Sequence, residues 1–208
     1  KMDLLFNIKD SNKLKLLRFF EADIICVKKN TTVSSMIKNK KIIASVIFGK
    51  LQVIKQDYNG NRTLIDELIE NDVFGSIMQT IYGDEYDIVA KEDSKVFIID
   101  FNNAINVNNN TEYYNQFLKN LLQIMSKKIL DNNERIEILT NKSIRNKLLA
   151  YFKMMYRKNN SKVIYLPFSL TDLADYLCVD RSAMSRELKN LKDEGFIEIK
   201  NKKIKLLY

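Results

Sequence analysis

The spacing of hydrophobic positions changes along the chain. In the first half, these positions form short β-type runs that are separated by turn residues. A continuous helical period follows, and then two shorter helical segments and a hairpin pattern complete the chain. This order predicts an α+β protein with a β-rich domain at residues 1–110, a long helix at 111–140 and a C-terminal domain at 141–208.

The β-rich domain is predicted to be a small barrel or jelly roll, because its antiparallel runs follow one another closely. Tight turns are indicated by Gly49-Lys50 and by Asn59-Gly60-Asn61. Residues 3–20 carry apolar positions in a partly helical pattern, and we expect them to cover this domain. The predicted strands are Ile24–Val27, Lys41–Phe48, Leu51–Gln56, Arg62–Leu68, Ile88–Ala90 and Val96–Ile99.

The long helix carries two apolar stripes. Phe117, Leu121 and Ile124 form one stripe, which suits packing against the β-domain. The other alternates steps of four and three residues over three heptads, the pattern of a coiled-coil interface. We call it the seam, and its members are Leu118, Leu122, Met125, Ile129, Asn132, Ile136 and Leu139. We expect the seam to join two copies of the chain, with Asn132 fixing their register; the alternative is a helix that faces only its own core.

A further amphipathic helix at Asn141–Lys158 opens the C-terminal domain. Its inward-facing residues are predicted to be Ile144, Leu148, Leu149, Phe152 and Met155. A short strand at Val163–Phe168 is expected to follow it.

Two short helices with a tight turn are predicted next. Ser169 and Asp172 form a capping-box pattern at the first helix. Cys178-Val179-Asp180 makes the turn, with Asp180 as N-cap of the second helix, and Gly195 ends that helix. The pattern indicates a helix-turn-helix, although two amphipathic helices alone would also suit other folds.

The second helix has one apolar and one polar face. The apolar stripe consists of Met184, Leu188 and Leu191. The opposite face is predicted to enter a DNA major groove, and its members are Arg181, Ser182, Ser185, Arg186 and Lys189.

A two-stranded hairpin follows directly and carries a basic tip, Lys200-Asn201-Lys202-Lys203. Such a tip suits a wing that rests on DNA phosphates, which strengthens the DNA-binding interpretation. We therefore add Lys200, Lys202 and Lys203 to the predicted DNA contacts, together with Ser169 at the start of the first helix.

The charge supports this interpretation. Residues 141–208 hold 15 Lys and Arg against 7 Asp and Glu, so that the whole net charge of +8 falls there. The preceding residues carry 19 of each sign. Basic residues concentrated on one domain are typical of nucleic-acid binding.

The composition argues against several functional classes. The chain has no His and only five Gly, which excludes His-based catalytic triads and leaves no phosphate-binding Gly-rich loop. Cys26 and Cys178 are too few for an iron–sulfur cluster within one chain, and we expect Cys178 to be a small buried residue rather than a redox sensor. We predict no enzymatic activity, no cofactor and no metal site. No apolar run or signal-peptide pattern points to a membrane or to secretion, so we expect a cytoplasmic protein.

The order of these elements resembles the bacterial cyclic-AMP receptor/fumarate-nitrate regulator (Crp/Fnr) superfamily over nearly the whole chain. The segment IFGKLQVIKQDYNGNRTLIDELIENDVFG, with Gly49 and Gly75, is similar to the cyclic-nucleotide-binding-like β-roll of that family. The segment DLADYLCVDRSAMSRELKNLKDEGFIEI is similar to its DNA-binding motif. The resemblance implies a homodimeric transcription regulator that binds two-fold symmetric DNA, and it raises RNA polymerase as a further partner.

The resemblance also implies roles for single residues. Arg181 and Arg186 stand where relatives place base- or phosphate-contacting arginines, and Ser185 where the oxygen-responsive branch uses Ser. Arg186 is the first candidate for bidentate recognition of guanine. Ser182 departs from the Glu of many relatives, so one position of the DNA half-site should differ. Asp180 stands where relatives often have a Ser near a phosphate, which favours capping over a contact with the DNA backbone.

The effector is not identified by the resemblance. Relatives that bind cyclic nucleotides have a Glu and an Arg-Ser pair after the equivalent of Gly75. Here Asp84, Glu85 and Asp87 stand near the phosphate position, where they would repel a phosphate. Cyclic-AMP binding in the usual manner is therefore not expected, and another small ligand, a partner protein, thiol chemistry or constitutive DNA binding stay open. An alternative function is a signalling or adaptor protein whose basic domain contacts a protein or a membrane.

Overall fold

The computed structural model describes residues 3–33, 41–75, 86–105, 110–166, 169–200 and 203–208. The chain divides into two compact units, Lys1–Lys128 and Ile129–Tyr208. The predicted α+β class is confirmed, with an N-terminal β-sheet domain, a long helix and a C-terminal winged helix-turn-helix. The division into three domains stays a prediction.

The first unit consists mainly of antiparallel strands. They are β1 (Asp23–Val27), β2 (Ile42–Phe48), β3 (Lys50–Gln56), β4 (Arg62–Ile69), β5 (Val73–Gly75), β6 (Tyr86–Ala90) and β7 (Ser94–Asp100). All six predicted strands are present with small shifts at their ends, whereas β5 was not predicted. Among the described residues, the helices of this unit are α1 (Asp10–Phe19), α2 (Phe101–Ala104) and the first part of α3 (Glu112–Leu139).

The strands form two sheets, in the orders β1-β7-β2-β5 and β4-β3-β6. Apolar side chains from both sheets share one core cluster, which explains why the alternating residues of each strand are apolar on one side. The cluster contains Val27, Val33, Ile42, Ala44, Val46, Leu51, Val53, Leu68, Phe74, Ile88, Ala90 and Val96.

The other face of the four-stranded sheet is covered by helices. Ile43 of β2 belongs to this second cluster, while its neighbours Ile42 and Ala44 belong to the first, so β2 is apolar on both faces. Phe117 and Leu121 of α3 are 0% and 4% exposed in the second cluster. The prediction that one stripe of the long helix packs on the β-domain is therefore confirmed.

Gly49 is required by the turn between β2 and β3. Its φ is +93°, and a Cβ atom there would lie 2.7 Å from the carbonyl oxygen of Asp93. Only glycine combines this backbone conformation with so close an approach.

The second unit contains the last turns of α3 and the C-terminal elements. These are α4 (Ile144–Asn159), β8 (Val163–Tyr165), α5 (Leu170–Leu177), α6 (Arg181–Asp193), β9 (Ile197–Lys200) and β10 (Lys203–Leu206). The helix α4 begins later than predicted because the Ser143 side chain caps it, accepting a hydrogen bond from the Asn146 amide.

The buried face of α4 differs in part from the predicted one. Tyr151 and Met154 are buried with the predicted Leu148 and Phe152, whereas Met155 is only half-buried. Both predicted and observed residues follow a helical period, and the sequence pattern alone did not separate the neighbours Met154 and Met155.

Candidate nucleic-acid interface

The first helix of the predicted pair, α5, starts as the capping pattern indicated. The Ser169 hydroxyl accepts a hydrogen bond from the Asp172 amide at 3.1 Å and donates one to the Asp172 carboxylate at 2.8 Å. Ser169 is exposed at this helix start. After Leu177 the chain turns through Cys178, whose φ is +52°.

Cys178 is exposed, so the prediction that it is a buried residue was wrong. It occupies the left-handed C-cap position directly after Leu177, the last packed residue of α5. A residue in this position has left the helical period, and the apolar stripe no longer determines its burial.

The second helix of the pair, α6, is capped by Asp180, whose carboxylate accepts a hydrogen bond from the Ala183 amide at 2.7 Å. Its stripe of Met184, Leu188 and Leu191 is at most 4% exposed, as predicted. The polar residues on the other side are all exposed: Arg181, Ser182, Ser185, Arg186 and Lys189. Their contact with DNA stays a prediction.

The end of α6 is a complete Schellman motif. Gly195, with φ +78°, donates its amide hydrogen to the Lys192 carbonyl at 3.0 Å, and Phe196 donates to the Leu191 carbonyl at 2.9 Å. The chain therefore leaves the helix in a fixed direction and enters β9.

The wing is a three-stranded antiparallel sheet in the order β8-β10-β9. Lys203 pairs across the strands with Lys200 on one side and Tyr165 on the other, and all three are exposed. The Lys203 ammonium lies 5.6 Å from the centre of the Tyr165 ring. These residues form a cationic and aromatic row on one face, while Lys202 lies outside the described residues.

Arg145 of α4 fixes the position of α6. It donates hydrogen bonds to Glu187 at 3.2 Å and to both carboxylate oxygens of Glu194, and its guanidinium lies 5.2 Å from the centre of the Phe196 ring. These bonds hold the pKa of the Glu194 carboxyl below its usual range and raise the pKa of Arg145. Glu187 follows Arg186 directly, so this contact helps set the orientation of the exposed face.

Two more cations hold the C-terminal end of α5. Lys147 donates a hydrogen bond to the Leu177 carbonyl at 3.1 Å, and Arg135 donates one to the Tyr176 carbonyl at 3.1 Å. Cations are favourable at this end of a helix, where the last carbonyls have no partner within the helix.

The seam is partly exposed. Leu122, Ile129 and Ile136 are 65%, 57% and 58% exposed, and Asn132 is exposed among them. The remaining members are half-buried: Leu118, Met125 and Leu139. Exposed apolar side chains repeated every seven residues form a surface that a partner helix can cover.

In the β-roll, Arg62 of β4 donates a hydrogen bond to Gln52 at 2.5 Å. Asp87 is in β6, whereas Asp84 and Glu85 lie outside the described residues. Among the described residues, no group of three or more acidic or sulfur side chains could hold a metal ion. The described helices also include none long and apolar enough to cross a membrane.

Residues 146–208 match the family model of the Crp-like helix-turn-helix domain. This segment is a Crp-like helix-turn-helix domain. A search of the curated proteins found no match for the chain.

Solved structures extend the similarity to the whole fold. A CooA mutant from Carboxydothermus hydrogenoformans is 17% identical, with a TM-score of 0.74 over 97% of this chain and 94% of that one. FixK2 from Bradyrhizobium japonicum is 18% identical, with a TM-score of 0.64 over 90% and 93%. A CRP/FNR-family regulator from Thermus thermophilus is 18% identical, with a TM-score of 0.58 over 89% and 94%. The chain therefore has the Crp/Fnr fold, and the predicted resemblance is confirmed.

The sequence interpretation missed the side chains that hold the Crp-like domain together. Arg145 and Lys147 were counted only as part of the basic excess of residues 141–208, and Arg135 only among the balanced charges that precede it. One signal was present for Arg145: Glu187 and the C-cap Glu194 are two acids seven residues apart, about two helical turns, which places them on one side of α6 where a single cation can pair with both. No comparable signal existed for Arg135, since it contacts the backbone carbonyl and the ring of Tyr176, a residue far along the chain.

Proposed function

We propose that the protein is a homodimeric, sequence-specific DNA-binding transcription regulator that acts in the cytoplasm. The observation that carries this proposal is the recognition helix α6, which is capped, packed on one face and exposed on its Arg/Ser face. In the described part of the chain, Arg181, Arg186 and Lys189 form no ion pair, so their charges are available to a phosphate or a base edge.

The wing supports the same function. Lys200 and Lys203 are exposed, follow α6 closely in the sequence and belong to the same compact unit. Ser169 is exposed at the start of α5. Phosphate contacts from such residues position a protein on the duplex, while Arg186 would recognise a guanine.

The exposed seam supports a two-fold symmetric dimer. Two copies of α3 would cover Leu122, Ile129 and Ile136, with Asn132 setting register and two-strandedness. The recognition helices would then stand about 34 Å apart, one turn of DNA.

For the effector, we propose that cyclic AMP is not bound in the family's usual manner. Arg62, the only Arg between Arg18 and Arg135, lies in β4 and bonds to Gln52 rather than following Gly75. Titration calorimetry with cyclic AMP should therefore give no micromolar binding, and a micromolar dissociation constant would contradict this part of the proposal.

The proposal is tested by selecting bound sequences from a random DNA pool with the full chain. The wild type should recover a two-fold symmetric site. Arg186→Ala should lose preference at one base pair of each half-site, a change of about 1–3 kcal/mol in discrimination. Ile129→Glu should place like charges in the seam and should recover single half-sites.

Arg157→Ala is the matched control, because Arg157 is an exposed cation of α4 in the same unit but is not on the proposed DNA surface. If the wild type binds all sequences equally and releases them at physiological salt, the protein is not a sequence-specific regulator. The alternative of a basic domain that contacts a protein or a membrane would then be favoured.

A further inference from the structure

Arg135 lies on α3 between two members of the exposed seam, Asn132 and Ile136. Its own side chain extends to α5 instead. It donates a hydrogen bond to the Tyr176 carbonyl at 3.1 Å, and the guanidinium lies 4.2 Å from the centre of the Tyr176 ring. One residue thus contacts the helix-turn-helix from within the seam segment, through both a hydrogen bond and a cation–π contact.

The last turns of α3 contact the rest of the second unit at other points as well. The Lys158 ammonium lies 2.6 Å from the Asp131 carboxylate and 2.9 Å from that of Glu134. Ile138 is 2% exposed. Residues 129–139, which include four seam members, therefore belong to the same compact unit as the helix-turn-helix.

Tyr176 is a sensitive point for such a contact. It stands two residues before the turn at Cys178 and three before Val179, after which the recognition helix begins. Its ring also packs edge-on against the buried Tyr151 at 6.0 Å. A shift of Tyr176 relative to α3 would move α5, and α6 would follow because the intervening turn is short.

We infer that Arg135 is a positioning residue that fixes the recognition helix relative to the dimer seam and thereby sets the half-site spacing that the protein accepts. The inference rests on the proposed function, because it requires a dimer on two-fold symmetric DNA. Changing the spacing by one base pair moves a half-site by about 3.4 Å and rotates it by about a tenth of a turn. A rigid link between seam and helix cannot follow that change, whereas a loosened link can.

The experiment uses the full chain and the site that the wild type selects from random DNA. Duplexes carry this site with its two halves moved apart or together by one base pair, and a further duplex carries one half-site only. The variants are Arg135→Ala, Arg135→Lys, which keeps the charge but not the planar fork, and Tyr176→Leu, which removes the ring but not the carbonyl. Arg157→Ala is the control, since it removes the same charge from an exposed position of this unit.

We expect the wild type and Arg157→Ala to bind the selected spacing much more tightly than the altered ones. Arg135→Ala and Tyr176→Leu should reduce this spacing discrimination by about tenfold, the size expected for losing one contact. Base preference within the half-site should not change. Arg135→Lys should fall between them, and it keeps the test possible if Arg135→Ala does not fold.

Three results would overturn the inference, and they can be told apart. Unchanged spacing discrimination in folded variants would reject the role of Arg135 and leave the proposed function intact. A parallel loss of base preference and spacing discrimination would show that Arg135 only stabilises the fold. A wild type without any preferred sequence would reject the proposed function, and the inference with it.

Discussion

In the first unit, lysines pair with carboxylates of the same unit, Lys50 with Glu67 and Lys128 with Asp66, whereas on α6 of the second unit Arg186 and Lys189 are exposed to solvent. The first unit thus pairs some of its cations with carboxylates of its own fold. The second unit holds its excess cations outside the fold, where the self-repulsion of like charges opposes folding. This difference supports the proposal that the exposed cations of the second unit bind DNA.

The cations of the second unit also differ among themselves. Arg135, Arg145 and Lys147 are bonded to carbonyls or carboxylates of the unit, and they hold α5 and α6 in place. Arg181 and Arg186 lie on the exposed face that these contacts orient. The net charge does not distinguish these five cations. Arg181 and Arg186, however, can bind DNA without breaking a contact that stabilises the fold.

The largest expected effect comes from reversing exposed charges. Arg181→Glu, Lys189→Glu and Lys203→Glu together should weaken DNA binding at least about a hundredfold, because phosphate attraction becomes repulsion. The salt dependence should also fall by about three counterions. Fluorescence anisotropy with a labelled duplex across a salt series measures both quantities.

The control for this prediction reverses three exposed lysines of the first unit, Lys15, Lys29 and Lys95. The net charge changes by the same amount, and binding should weaken only slightly. Equal losses in the two triple variants would mean that overall charge, and not the surface of the second unit, drives DNA binding.

The sequence was informative where a structural feature depends on local spacing. The strands β2 and β3, the cap at Asp180 and the apolar stripe of α6 follow from periodicity and from the residue before each helix. Residues far apart in the chain were harder to predict. Arg135 and Tyr176 are 41 residues apart, and neither carries a local pattern that points to the other.

Two other features show the same limit. The strand β5, Val73–Gly75, has only three residues, which is too few for an alternating pattern to be recognised. Burial of Cys178 was judged from its residue type, but its C-cap position determined its exposure. The role of the predicted seam as a dimer interface also depends on a second chain, about which the sequence pattern of one chain gives no information.

An effect of intermediate size is expected when residues at the start of α6 and α1 are changed and the losses in the free energy of unfolding are compared. Asp180 caps α6 with its side chain, whereas the N-cap of α1, Lys9, forms no such bond. Asp180→Ala should lower the free energy of unfolding of the second unit by about 1 kcal/mol, and Asp180→Asn should restore most of it. Asp10→Ala in the first turn of α1 should cost the first unit only about 0.3 kcal/mol. Urea denaturation followed by circular dichroism measures these differences, and equal losses would contradict the proposed role of the cap.

The smallest effect concerns pH and the pair of Arg145 and Glu194. The Arg145 hydrogen bonds lower the pKa of Glu194 in the folded state, so the unfolded chain binds more protons in the acidic range. The contribution of this pair to stability is therefore complete above the unfolded pKa of about 4.3 and is lost as the pH falls through the lower folded pKa. Glu194→Gln should flatten the dependence of the unfolding free energy on pH between about pH 5 and 3.

Glu198→Gln is the control, since Glu198 lies 3.6 Å from Lys205 on the exposed wing, and its curve should follow that of the wild type. Because the pair is exposed, added salt should reduce the difference, and a difference that persists at high salt would mean that Glu194 acts through something other than this pair.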